Sequence, residues 1–163
     1  MPTLNIDGLV FTFPQAWQAD KYDEWIFYRE HFSKQSSGIK AVDALALSNS
    51  NVAYLIEVKD YRHPDTVKPS QLAEAIAGKV LDTLAAMLPA KLNANDPAEQ
   101  KLAAGILTCA SLEVVAHIEQ PDHRQVVDLA DIKQKLRKLL RAVDAHPKVV
   151  SMAKMRGLGW TVA

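Results

Sequence analysis

Two runs, IKAVDALAL (39–47) and VAYLIEVKDY (52–61), are apolar at most positions and are separated by the polar SNSN. They read as two buried strands joined by a turn. LEVVAHIE (112–119) reads as a third buried strand. KPSQLAEAIAGKVLDTLAAML (68–88) predicts a long helix, opened by Pro69 or Ser70, with Pro89 just beyond its end. From about Ala16 to Ser33, residues Tyr22, Trp25, Ile26, Arg29 and Phe32 fall on one stripe at helical spacing, with Tyr28 at its edge, which predicts an earlier helix. LNIDGLVFTF (4–13) predicts a small hairpin around Asp7-Gly8, closed by Pro14. NANDPAEQ (93–100) is a loop leading into a short helical piece, and Asp128 caps a helix running to about Val143. HPKVVSMAKMRGLGWTVA closes the chain with a strand at its end. The order predicts an α/β sheet layered with helices.

At 163 residues the chain reads as one domain spanning 1–163, long enough to bury a substantial core. Its 48% hydrophobic and 23% charged residues are an ordinary globular balance. No apolar run approaches a membrane span, and MPTLNIDGLVFTF lacks the basic start and cleavage site of a signal peptide, so the expectation is a cytoplasmic protein with no membrane partner. Cys109 is the only cysteine, which excludes an internal disulfide and a cysteine-based zinc site.

The net charge of zero conceals an asymmetry. Residues 1–119 hold ten Lys or Arg against fifteen Asp or Glu, a balance of −5, whereas 120–163 hold nine against four, a balance of +5. From about residue 128 the C-terminal segment is basic and helical, with Lys133, Lys135, Arg137, Lys138 and Arg141 crowded together. Such an element suits a phosphate backbone. Taken alone it reads rather as a solvated helix face packed by Ile132, Leu136, Leu139, Leu140 and Val143.

The two apolar strands carry charges that a core rejects unless they are paired, hydrated or metal-bound. Alternation puts Asp43, Leu45 and Leu47 on one face of the first strand, and Ala53, Leu55, Glu57 and Lys59 on one face of the second. If Ser48 pairs with Val52, Asp43 stands opposite Glu57, whereas a slip of one residue parts them. Opposed carboxylates repel, and a divalent cation between them removes the penalty. Magnesium accepts a few carboxylate oxygens and leaves room for a phosphate.

An Asp on one strand, then Glu-x-Lys on the next, then a helix, resembles the PD-(D/E)XK nuclease superfamily. Here the pattern is Val42-Asp43 and Glu57-Val58-Lys59, and the resemblance covers roughly residues 20–120. It implies a restriction-endonuclease-like or resolvase-like fold, a mixed central β-sheet flanked by helices. It also implies a metal-dependent nuclease hydrolysing phosphodiesters, with DNA as the expected substrate. Asp43 and Glu57 would ligate Mg2+ or Mn2+, with the backbone carbonyl of Val58 as a third ligand, and Lys59 would position the attacking water. Glu24, from the helix before the sheet, would complete the catalytic set, with Glu30 as the alternative. Two features depart from the family pattern. Val42 replaces Pro, and only about SKQSSG lies between the first helix and the Asp strand. Either Ile39 to Val42 or LNIDGLVFTF must then supply the missing strand.

A catalytically inactive module that binds nucleic acid or a protein partner is the alternative function, and a homodimer would let one compact domain meet two strands. Gln71 and His63 are secondary candidates near the site, Lys68 and Lys79 are exposed lysines able to contact a nucleic-acid backbone, and His117 reads as a hydrogen-bonded core residue.

Overall fold

The computed structural model describes residues 1–163. Its centre is a five-stranded mixed sheet in the order β3 (Gln18–Asp20), β4 (Ala44–Leu47), β5 (Val52–Asp60), β6 (Ser111–Glu119) and β7 (Lys148–Val150). β4 runs antiparallel to β3 and β5, while β5, β6 and β7 are parallel. A parallel pair needs a long crossover. Between β5 and β6 it is supplied by α1 (Leu72–Asn93) and α2 (Pro97–Leu107), and between β6 and β7 by α3 (Leu129–Leu139).

The central sheet is buried on both faces, which explains why its strands read as near-continuous apolar runs. Leu45, Leu47, Ala53 and Leu55 pack against Ile76, Val80, Leu102 and Leu136 of the helices. Ala44, Ala46, Tyr54, Ile56 and Val58 face a second cluster with Ile6, Leu9, Phe11, Phe13 and Trp160. That second layer is a small sheet of β1 (Thr3–Ile6), β2 (Leu9–Thr12) and β8 (Thr161–Val162). The hairpin turns at Asp7 and Gly8, both at positive φ (52° and 87°), as a two-residue primed turn requires.

Four expectations change. The Ala16–Ser33 stripe is not one helix: it begins as β3 and continues as short 3-10 and π-helical turns over 22–34. The reason lies far off in sequence. The Glu99 carboxylate accepts the backbone N–H groups of Ile26 (2.7 Å) and Phe27 (3.1 Å), and Asp20 accepts the indole N–H of Trp25 (2.9 Å). The sheet neighbour of β4 is therefore Gln18–Asp20, and neither Ile39–Val42 nor the N-terminal hairpin fills that place. The N–H groups of Lys40 and Val42 are taken by the side chains of Asp82 and Thr83 on α1 instead of a strand. Finally, α1 runs through Pro89 to Asn93. The missing Pro89 N–H costs one helical bond, but burial of Met87, Ala90 and Ala94 holds the last turns in place. α3 stops at Leu139, one turn short of Val143.

Candidate functional site

The β4–β5 register brings the sequence-predicted charges together. Ala44 pairs with Ile56 and Leu47 with Ala53, and Ser48 N–H donates to the Val52 carbonyl (2.9 Å), so Asp43 lies opposite Glu57. Asp43 Oδ2 accepts the N–H of Val58 (2.6 Å). Glu57, only 1% exposed, accepts from Lys59 Nζ (3.0 Å) and from Lys79 Nζ (2.5 Å), both on Oε1, while its Oε2 is buried without a partner.

The sequence offers Lys79 only as a lysine able to contact a phosphate backbone. Yet it follows Leu72 and Ile76 along the buried stripe of α1, and a lysine on that stripe must find an anion. Its backbone carbonyl accepts the Thr83 hydroxyl (2.7 Å), whose oxygen in turn accepts the Val42 N–H, tying the helix to the residue before Asp43.

Burial pushes the Glu57 carboxyl up to about 7, Asp43 adds repulsion, and the two lysines oppose both. Asp43 is also raised, chiefly by burial, against Lys79 and the Val58 hydrogen bond. Burial works to lower the Lys59 ammonium, but Glu57 and Asp43 more than offset it and hold it above its usual value. Two carboxylates and two ammonium groups thus form a formally neutral cluster. It opens on a recess of about 270 Å³ walled mainly by Val67, Pro69, Leu72 and Ile76.

Glu24 is not part of this cluster: it is exposed and paired with Lys21 (2.6 Å). Glu30 is exposed and paired with Lys34 (3.3 Å). The acid that turns inward is Asp23, whose Oδ1 is buried without a partner and whose carboxyl is raised by burial and by the field of Asp43. The broken first helix is the cause, since it rotates Asp23 rather than Glu24 toward the sheet. Gln71 is exposed at the start of α1 and makes no capping bond. Lys68 donates to the Val126 carbonyl (3.3 Å). His63 and Arg62 gather on Asp60, which alternation directs to the opposite face from Glu57. His117 is fully buried and bonded to Glu119 (2.8 Å), with burial lowering its pKa.

The oxygen donors Asp43 and Glu57 Oε2 are of the kind magnesium accepts. No group of three or more His, Cys, Asp or Glu side chains is placed to share an ion, and Glu57 Oε1 is already neutralised by two lysines.

A separate basic face is built by α3 and the segment after it. Asp128 caps α3 by accepting from Ala130 and Asp131 N–H groups, and Ile132, Leu136 and Leu140 pin it to the core, which turns its cations outward. Lys133, Arg137, Lys138 and Arg141 are exposed and make no ion pair; Lys135 pairs with Asp131. Arg137, Lys138, Arg141 and His146 line one depression, and Lys133, Lys148, Lys154 and Arg156 line another.

No family model and no solved structure matches the chain. The chain is 31% identical to a cysteine–tRNA ligase from Neisseria meningitidis serogroup A / serotype 4A (strain DSM 15465 / Z2491), across 76% of its own length. The match covers 22% of that protein, so the chain spans about a fifth of the relative's length. This finding corrects the nuclease expectation. The relative is a ligase, not a nuclease, hydrolase or phosphodiesterase, and membership of the PD-(D/E)XK superfamily falls with that activity. The structure departs from the pattern at two points: Glu24 stands apart, and Lys79 takes Oε1 of the carboxylate that the pattern assigns to a metal. No helix is long and apolar enough to cross a membrane.

Proposed function

We propose that the chain is an RNA-binding domain acting on tRNA, related to a portion of a cysteine–tRNA ligase rather than to the whole enzyme. The observation that carries this reading is the similarity to that ligase. The basic face is its natural surface: six cations, Lys133, Arg137, Lys138, Arg141, Lys154 and Arg156, lie without ionic partners on one helix and the segment beyond it. Unpaired surface cations attract a phosphate backbone by releasing its counterions, without reading sequence. DNA meets the same face with the same charges, so shape and the 2′-hydroxyl would have to set the preference for RNA.

The Asp43–Glu57–Lys59–Lys79 cluster holds β4, β5 and α1 together beside this function. Magnesium enters the reading only as an ion that Asp43, the free oxygen of Glu57 and the Val58 carbonyl would hold against an RNA phosphate. A second copy of the chain would double the basic surface. Fluorescence anisotropy with labelled tRNA, single-stranded RNA and duplex DNA tests the proposal, beside Arg137→Ala/Arg141→Ala. Salt-dependent tRNA binding that weakens in the variant supports it. No tRNA binding at low salt, or binding equal in the variant, overturns it. A Mg2+ titration followed by melting temperature, beside Asp43→Asn, tests the ion, and sedimentation tests the dimer.

A further inference from the structure

The recess between the π-helical turn and the end of α1 differs in chemistry from every other surface described. It encloses about 360 Å³ and is lined by Phe27, His31, Phe32, Gln35, Pro89, Asn93 and Asn95. A volume of this order is the lower range of small-ligand sites. Its floor is aromatic: the Phe27 and Phe32 rings lie 6.2 Å apart at 26°, and His31 lies 6.1 Å from Phe27. Its rim carries three side-chain amides, Gln35, Asn93 and Asn95, none of which is hydrogen-bonded within the protein. No Lys, Arg, Asp or Glu lines it, and His31 is its one titratable side chain, so the lining offers no fixed charge and is suited to an uncharged polar ligand.

The wall is also held in advance. Glu99, itself 4% exposed, grips the backbone of Ile26 and Phe27 through both carboxylate oxygens, fixing the turn that presents Phe32 and His31 over the buried Phe27. Pro89 lies within the facing helix α1, and π-helical turns are rare and gather at functional sites.

We propose that this recess binds one unpaired nucleobase, its flat face on Phe32 and its edge read by the amides of Gln35, Asn93 and Asn95. A planar heterocycle with donors and acceptors on its edge is the uncharged ligand that satisfies both surfaces, since amides supply both hydrogen-bond roles and every base has a stacking face. The base can come from a free nucleoside or from RNA, and the RNA source rests on the binding reading above.

NMR of 15N-labelled protein tests this with adenosine, guanosine, cytidine, uridine, a single-stranded oligoribonucleotide, and ribose as the sugar control. Saturable shifts of the Gln35, Asn93 and Asn95 side-chain amides with any base-bearing probe, and none with ribose, are expected. Phe32→Ala and Asn93→Ala should each weaken that binding about tenfold, with the rest of the spectrum unchanged. Response to nucleosides alone assigns a free ligand, and response to the oligonucleotide alone assigns an RNA base. Absence of saturation with every base, or equal shifts with ribose, overturns the proposal. Arg137→Ala/Arg141→Ala separates the two readings: it removes tRNA affinity if the basic face binds RNA, and leaves the nucleoside shifts intact.

Discussion

Lys79 of α1 places its Nζ 2.5 Å from Oε1 of Glu57 on β5, so the most buried carboxylate of the central sheet is neutralised by the helix packed over it. Because Lys59 reaches the same oxygen at 3.0 Å, the helix, the strand and the Asp43 strand share one electrostatic centre.

Removing one partner of a buried pair leaves the other uncompensated, at a cost of about 3–5 kcal/mol when nothing replaces it. Lys59 remains in Lys79→Met, so the expected loss is about 2 kcal/mol. Urea unfolding at pH 7 measures it. A loss below about half a kilocalorie, the level of an ordinary surface change, would show that Lys59 alone suffices.

Glu57 also sets a pH dependence. Its folded pKa of about 7 lies above the ordinary 4.5, so the folded state holds the proton more tightly than the unfolded chain does. The resulting stabilisation is complete below about 4.5 and is lost as pH rises through about 7, a change on the order of 3 kcal/mol. Glu57→Gln removes this titration. The stability difference between wild type and Glu57→Gln should therefore fall between pH 4.5 and 8, and a flat difference contradicts the assignment. His117, lowered by burial, acts in the opposite sense as pH falls but is common to both proteins.

Glu99 is the anchor of the irregular segment. Glu99→Ala strips two backbone donors of a charged acceptor and should cost about 2–3 kcal/mol. Glu99→Gln keeps one acceptor oxygen and should lose less. Loss of the Tyr22–Trp25 near-ultraviolet signal in Glu99→Ala, before global unfolding, is the accompanying observation, because those rings sit 5.1 Å apart in the same segment.

Gly159 is fixed by an aromatic neighbour. A Cβ there meets Trp17 ring atoms at 2.8 and 2.9 Å, and Trp17 is itself stacked on Tyr54 at 5.3 Å and 9°. Gly159→Ala should cost about 1–3 kcal/mol by overpacking and shift the tryptophan emission. Unchanged stability would mean that the loop gives way freely.

The hairpin register was legible because the polar SNSN between two apolar runs leaves a short loop, and pairing Ser48 with Val52 across it sets every later pair. It placed Asp43, Glu57 and Lys59 together for the same reason. The sequence could not show that Lys79 completes the group, since that contact depends on how α1 lies over the sheet. It failed at residues 16–34, where Glu99, some seventy positions away, overrides a helical stripe. The functional inference failed for a different reason. An Asp facing a Glu-x-Lys strand describes a geometry, and that geometry serves equally to neutralise charge inside a sheet.

The small outer sheet has a further consequence. Thr12 is partnered by Thr3 on one side and Thr161 on the other, and Val10 exchanges hydrogen bonds with Ala163 (2.8 and 3.1 Å). Strands lie about 4.8 Å apart, so the first and last strands are only about 10 Å from each other. A polypeptide that enters and leaves through such neighbouring doors behaves as a cassette. It can be spliced into a loop of a larger protein, or joined end to end and reopened elsewhere, with little strain on either partner.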